Sequence, residues 1–166
     1  MEDWYLRKVI SEGETGVDRA ALDVALALGI SCGGWCPHGR RAEDGEIPTR
    51  YPLEETESPD HNEATRLNIK AGDAVMLLYV RNPGMGSRHM LYLANQMHKP
   101  IITVDLAAGP DPQDVIDWLA KMKGGITLTV AGSRESTVPG VYESARHYLR
   151  ALLREVPYHN VHQAGA

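Results

Sequence analysis

Short apolar runs alternate with helix-forming segments along this 166-residue chain, and that alternation narrows its possible folds more than any single motif does. Tyr5 to Ile10 reads as a strand, and Asp18 to Leu28 as a helix with Leu22, Val24, Ala25 and Leu28 on its apolar side and Gly29 at its end. Ile30 to Trp35 reads as a second strand. A helix from Asp60 to Ala71, capped by Asp60, precedes the clearest buried strand, Ala74 to Val80. A helix through Met97, a strand from Pro100 to Val104, a helix from Pro112 to Met122, a strand from Gly125 to Val130 and a helix from Val141 to Arg154 complete the pattern. Parallel strands joined through helices cross over right-handed. The pattern therefore predicts an α/β fold, a single-domain Rossmann-like doubly wound parallel sheet of about five strands with helices on both faces. With 43% hydrophobic residues the chain is long enough for one core. Residues 1–156 are expected to form the domain and 157–166 a flexible C-terminal tail.

One stretch breaks the rhythm. Pro37 to Glu57 mixes proline, glycine and charge without periodicity, and irregular segments of that length in compact domains are functional or disordered. A net charge of −5 argues against a nucleic-acid footprint, which needs a basic face, so any anion site must be local. No apolar run approaches a membrane span, and the start MEDWYLRK lacks the apolar stretch of a secretory signal; the expectation is a cytoplasmic protein with no membrane partner. Cys32 and Cys36, with His38 nearby, offer three ligands where structural zinc takes four, and their C-x-x-x-C spacing is not the redox C-x-x-C. They read as reduced thiols, with no metal.

Ligands of open parallel sheets bind beyond the carboxyl ends of the strands, so the loops there carry the functional reading. The first, Ile10 to Arg19, runs from a strand straight into a helix. Gly13 and Gly16 let the backbone approach a ligand, Thr15 offers a hydroxyl, Asp18 can cap the helix, and Arg19 adds charge. The spacing is neither the dinucleotide fingerprint nor the P-loop. A second loop holds Gly34, Arg40, Arg41 and Asp44; a third holds Gly86, Ser87 and Arg88; a fourth holds Gly132, Ser133, Arg134, Glu135 and Ser136. Each joins glycine to a hydroxyl or an arginine, the groups an oxyanion needs, and together they predict a small anionic ligand. Glu12, Glu14, Asp18, Asp44 and Glu135, with His38 and His89, are the acid/base candidates, but none forms a nucleophile–base pair. Catalytic residues are accordingly expected to be absent.

Taken together, three segments resemble the molybdenum cofactor carrier family, within the Rossmann-like superfamily that includes the cytokinin-activating phosphoribohydrolases (the lysine-decarboxylase-like fold). They are Thr15 to Asp23, Gly33 to Pro37 with Gly39 to Gly45, and Val130 to Gly132 with Arg134 to Ser136 and Pro139-Gly140. The resemblance spans Ile10 to about Leu153. It implies a non-catalytic carrier that binds and protects the pterin-based molybdenum cofactor as cargo, holding its phosphate and metal end with glycine loops and arginines. It also implies a homodimer or homotetramer, with molybdoenzymes as recipients.

Two departures from the family pattern bear on the ligand. Where the family has a second glycine and a glutamine in the first loop, this chain has Glu12 and Glu14. Like charges about 4 Å apart at an effective dielectric near 20 cost on the order of 4 kcal/mol, enough to cancel one arginine contact. These carboxylates would point away, pair with Arg88 or Arg134, or mark a changed ligand. In the third loop Met85-Gly86-Ser87 stands where the pattern reads Gly-Gly-Thr, and the P-G-G-x-G-T-x-x-E of the phosphoribohydrolases is missing. The alternatives are a phosphoribohydrolase-like enzyme acting on a nucleotide such as AMP, with Glu14 or Glu135 as acid/base, and a nucleotide-sensing module without chemistry.

Overall fold

The structure is a computed structural model, described here over residues 3–161. Five parallel strands form the central sheet: β1 (Trp4–Ile10), β2 (Cys32–Gly33), β7 (Ala74–Tyr79), β8 (Ile101–Asp105) and β9 (Gly124–Gly132). Their spatial order is β2-β1-β9-β7-β8. The last strand in the sequence thus lies in the middle of the sheet, paired with β1 on one side and β7 on the other. Counted from β9 as first, the order becomes 3-2-1-4-5, the start of the doubly wound pattern.

Five helices cover the sheet: α1 (Val17–Leu28), α2 (His61–Ala71), α3 (Met85–Gln96), α4 (Pro112–Ala120) and α5 (Val141–Glu155). α1 and α4 both pack on α5, and α2 packs on α3, so the two groups lie on opposite faces. The β7 sequence shows why the central strands read as unbroken apolar runs. Met76 and Leu78 enter the core beneath α1, α4 and α5, whereas the alternate residues Val75 and Leu77 enter the core beneath α2 and α3. Local chemistry sets the helix ends. Asp60 accepts from the Asn62 N–H at 2.9 Å to start α2, and Asp111 from Gln113 at 2.9 Å to start α4, with Pro112 in its first turn. Gly29 ends α1 in the left-handed conformation.

The strand expected over Ile30 to Trp35 is two strands. Gly34, at φ 136, turns the chain out of the sheet, and a Cβ there would lie 2.2 Å from the Ser11 carbonyl oxygen. Beyond it β3 (Trp35–Cys36) pairs with β6 (Glu54–Glu55), while the Asn68 side chain takes up both the N–H and the C=O of Trp35. The irregular stretch is likewise ordered. It contains a two-residue ladder between β4 (Arg41–Ala42) and β5 (Gly45–Glu46), and its Ile47, Tyr51 and Leu53 form a small core with Leu22 of α1 and Cys36 of β3. Part of the segment expected to be a loose tail is docked: the Leu6 N–H donates to Pro157, Tyr158 bridges to Leu6 and its hydroxyl reaches Leu28, and the Val161 N–H donates to Gly29. The remainder of that tail, 162–166, lies outside the described residues. No helix among the described residues is long and apolar enough to cross a membrane.

Candidate functional site

The chain leaves β9 for α5 on one face of the sheet and leaves β7 for α3 on the other. Diverging connections from neighbouring strands open a crevice at the carboxyl edge, the place where open α/β sheets take their ligands. Here the crevice is about 210 Å³, and Glu12, Glu14 and Asp18 from the loop and helix after β1, His61 and Thr65 from α2, Gly86 and Ser87 from α3, and Gly132 at the end of β9 with Arg134 beyond it line it. Gly132 makes the strands' close approach possible, since a Cβ there would sit 2.0 Å from the Leu78 carbonyl oxygen.

The first loop does not present an open helix terminus. The Val17 N–H donates to the Ser133 carbonyl at 3.1 Å, and Asp18 is buried in the first turn of α1. Gly16, at φ 80, is what lets the loops after β1 and β9 touch; the N-cap of α1 is this glycine, not Asp18. The Ser133 carbonyl thus takes the first N–H of α1, at the place where an anion was expected. α3 differs. Its N-cap is Gly84 with no side-chain cap, and a Cβ at Gly84 or Gly86 would meet nothing within 4 Å. The first-turn N–H groups that every helix leaves unpaired lie here beside the crevice.

Charge in the crevice is mixed. Glu12 contacts Nδ1 of His61 and accepts from the Thr65 hydroxyl at 3.0 Å, so it turns toward α2 rather than toward Arg88 or Arg134. The hydrogen bond to Glu12 holds His61 above the usual histidine range despite its partial burial. Burial, and then the neighbouring Glu12 and Glu14, push Asp18 well above the usual carboxylate range. Arg134, 46% exposed at its side chain, comes no closer than 4.0 Å to Glu14. That separation is too long for a hydrogen bond.

Several other candidate residues are engaged in holding the loops. Arg40 donates to the carbonyls of Ile47, Pro48, Tyr51 and Leu53 at 2.8–3.2 Å, closing the 40–53 loop on itself. Its guanidinium is committed to the protein, while Arg41 is exposed on β4. Arg19 is bidentate on Asp44 at 3.0 and 3.1 Å and also donates to the Gly13 carbonyl. A Cβ at Gly13 would meet the side chains of Leu53 and Ile47. Thr15 and Ser136 both bond to Glu43. Glu135 accepts from the N–H groups of Gly140 and Tyr142, capping α5 with both its oxygens. Arg88 is exposed on α3 and does not line the crevice.

A broader groove of about 700 Å³ lies between α1, α5 and the 43–51 segment. Its polar groups are largely paired with one another: the Tyr51 and Tyr142 hydroxyls donate to the two oxygens of Asp23, and Arg50 lies over the Tyr51 ring. The smaller crevice is the one with unmet polar groups.

Residue patterns overlooked His61 and Thr65. The signal was present, because a helix that returns the chain to a parallel strand starts at the sheet's carboxyl edge, which places the first turns of α2 beside the loop after β1.

The chain matches the circularly permutated YpsA SLOG family over residues 9–153. Among solved structures it is similar to the crystal structure of a protein from Syntrophus aciditrophicus SB named "putative molybdenum carrier protein", at 32% identity and a TM-score of 0.82, covering 90% of this chain and 96% of that one. No curated protein matches it.

Proposed function

The chain belongs to the circularly permutated YpsA SLOG family, and from that premise we propose that it binds the pterin-based molybdenum cofactor as cargo and shields it, without turning it over. The name of the Syntrophus relative supports this, as does the permuted strand order, which places the crevice at the start of the doubly wound pattern. The observation that carries the proposal is that one crevice is lined both by the uncapped N-terminus of α3 and by the Arg134 guanidinium, which has a loose ion pair with Glu14 at 4.0 Å and is 46% exposed. Backbone N–H groups and an arginine fork are the donors that an anionic cofactor end requires. Gly86, Ser87, Gly132 and Arg134 are accordingly the binding residues, and Arg40, Arg19 and Glu135 act by holding the surrounding loops. A recipient would be a molybdoenzyme.

Anaerobic titration with molybdenum cofactor, scored as protection from oxidation, tests the proposal, with AMP supplied as competitor and followed by chromatography. Saturable protection that Arg134→Ala weakens is expected. AMP bound or cleaved, with no protection of the cofactor, would refute the carrier function in favour of a nucleotide-directed one.

A further inference from the structure

The crevice also has an acidic side, formed by Glu12, Glu14 and Asp18, and its carboxylates are not equally satisfied. Glu12 uses both oxygens, on His61 and Thr65. Glu14 uses one: its Oε1 accepts from the N–H groups of Thr15 and Glu43, each at 2.9 Å. Its Oε2 is buried and receives no hydrogen bond, and neither does the buried Oδ1 of Asp18. Glu14 is 4% exposed and Asp18 8%, and both line the crevice. The nearest cationic groups, His61 Nε2 at 3.9 Å and Arg134 at 4.0 Å, lie beyond hydrogen-bonding distance of Glu14 Oε2.

A buried carboxylate oxygen left without a donor is costly, so two of them in one wall mark a place built for donors. A metal ion is a poor match, because among the described residues no three His, Cys, Asp or Glu side chains group closely enough to hold one. We propose that Glu14 and Asp18 form a subsite for the donor edge of a ring, a ring N–H beside an exocyclic amine, as a pterin presents. The proposal rests on the carrier reading and orients its cargo: the 2-amino edge of the ring lies against Glu14 and Asp18, and the anionic end lies toward the N-terminus of α3. On this assignment Glu14, which stands where the family pattern has glutamine, does not repel the ligand. It adds a charged acceptor for the uncharged end.

The probe is neopterin, compared with its 2-oxo counterpart, in which an oxygen replaces the amine; binding is read by pterin fluorescence. The unaltered protein is expected to prefer neopterin by roughly 10- to 100-fold, the ratio that one charge-assisted hydrogen bond confers. Glu14→Gln keeps an oxygen for Thr15 and Glu43 but turns an amide toward the ring, and it should lose most of that preference. Asp18→Ala, which suits the first turn of a helix, should also lower neopterin affinity. Equal binding of the two compounds, no detectable neopterin binding, or a Glu14→Gln variant with unchanged preference would each overturn the assignment. Molybdenum cofactor protection that Glu14→Gln leaves intact would overturn the subsite and spare the carrier function. Selection for the amino edge by a protein that fails to protect the cofactor would do the reverse.

Discussion

Replacing Gly16 with alanine tests whether the loops after β1 and β9 depend on backbone contact. Two penalties combine at this position. Its φ of 80 and ψ of −129 lie in a region open to glycine and strained for L residues. The added Cβ would also fall 2.3 Å from the Ser133 carbonyl oxygen and 2.9 Å from the Glu135 nitrogen. Relieving the first contact requires the loops to part by about 1 Å, since a carbon and a carbonyl oxygen settle at about 3.3 Å or more. Strain of about 1–3 kcal/mol and overpacking of similar size put the total at about 2–6 kcal/mol. Two comparisons separate the penalties. Gly140 has a φ of 91 with nothing within 4 Å of a Cβ, so its alanine variant reports strain alone, about 1–2 kcal/mol. Gly132 has no positive φ, but its Cβ would meet the Leu78 carbonyl oxygen at 2.0 Å, so its variant reports the clash. Urea unfolding with a common m-value gives the three differences. The same shift carries Arg134 away from the crevice, so cofactor protection should fall in Gly16→Ala and hold in Gly140→Ala. A Gly16 variant as stable as the Gly140 variant would refute the loop contact as described.

Further outcomes concern titration and the 40–53 loop. Asp18 is held above its unfolded value of 3.8, so the wild-type protein loses stability as pH rises through the folded value; Asp18→Asn should be the more stable form at neutral pH, the gain vanishing below pH 3.8, and calorimetry across pH would contradict this if the variant were weaker at neutral pH. His61 is raised above 6.5 chiefly by Glu12, so its stabilisation is complete below pH 6.5 and is lost as pH rises through the folded value. An NMR titration midpoint below 6.5, or one unmoved by Glu12→Gln, would count against that pairing. Arg40→Lys cannot reach four carbonyls and should cost about 2–3 kcal/mol while exposing residues 37–57 to protease; unchanged proteolysis would show that something else closes the loop.

The fold was legible wherever burial was two-sided. β7 showed as an apolar run, and the cap at Asp60 and the glycine at 29 marked helix ends, because each rests on local chemistry. What escaped notice depended on distant partners. Gly34 looked like a strand residue until the Ser11 carbonyl lay against it, and Arg40 looked like a ligand-binding arginine because the four carbonyls it serves come from an aperiodic stretch. At the candidate site, the four-loop convergence pointed to the carboxyl edge of the sheet, where the crevice opens. It did not show that the Ser133 carbonyl takes the Val17 N–H at the start of α1, nor that α2 contributes His61 and Thr65. Glu14 stood out as a charge in the wrong place, but only its single unbonded oxygen suggests what it is for.

The central position of β9 has a consequence for synthesis. Until residues 124–132 leave the ribosome, β1 with β2 and β7 with β8 are two separate fragments, each exposing the edge that β9 will join. The crevice draws on both ends of the sequence, from Glu12 to Arg134, so no nascent intermediate can present it. Capture of the proposed cargo would thereby be confined to chains whose last strand has been laid in, and a translation product ending before β9 would lack one side of the crevice.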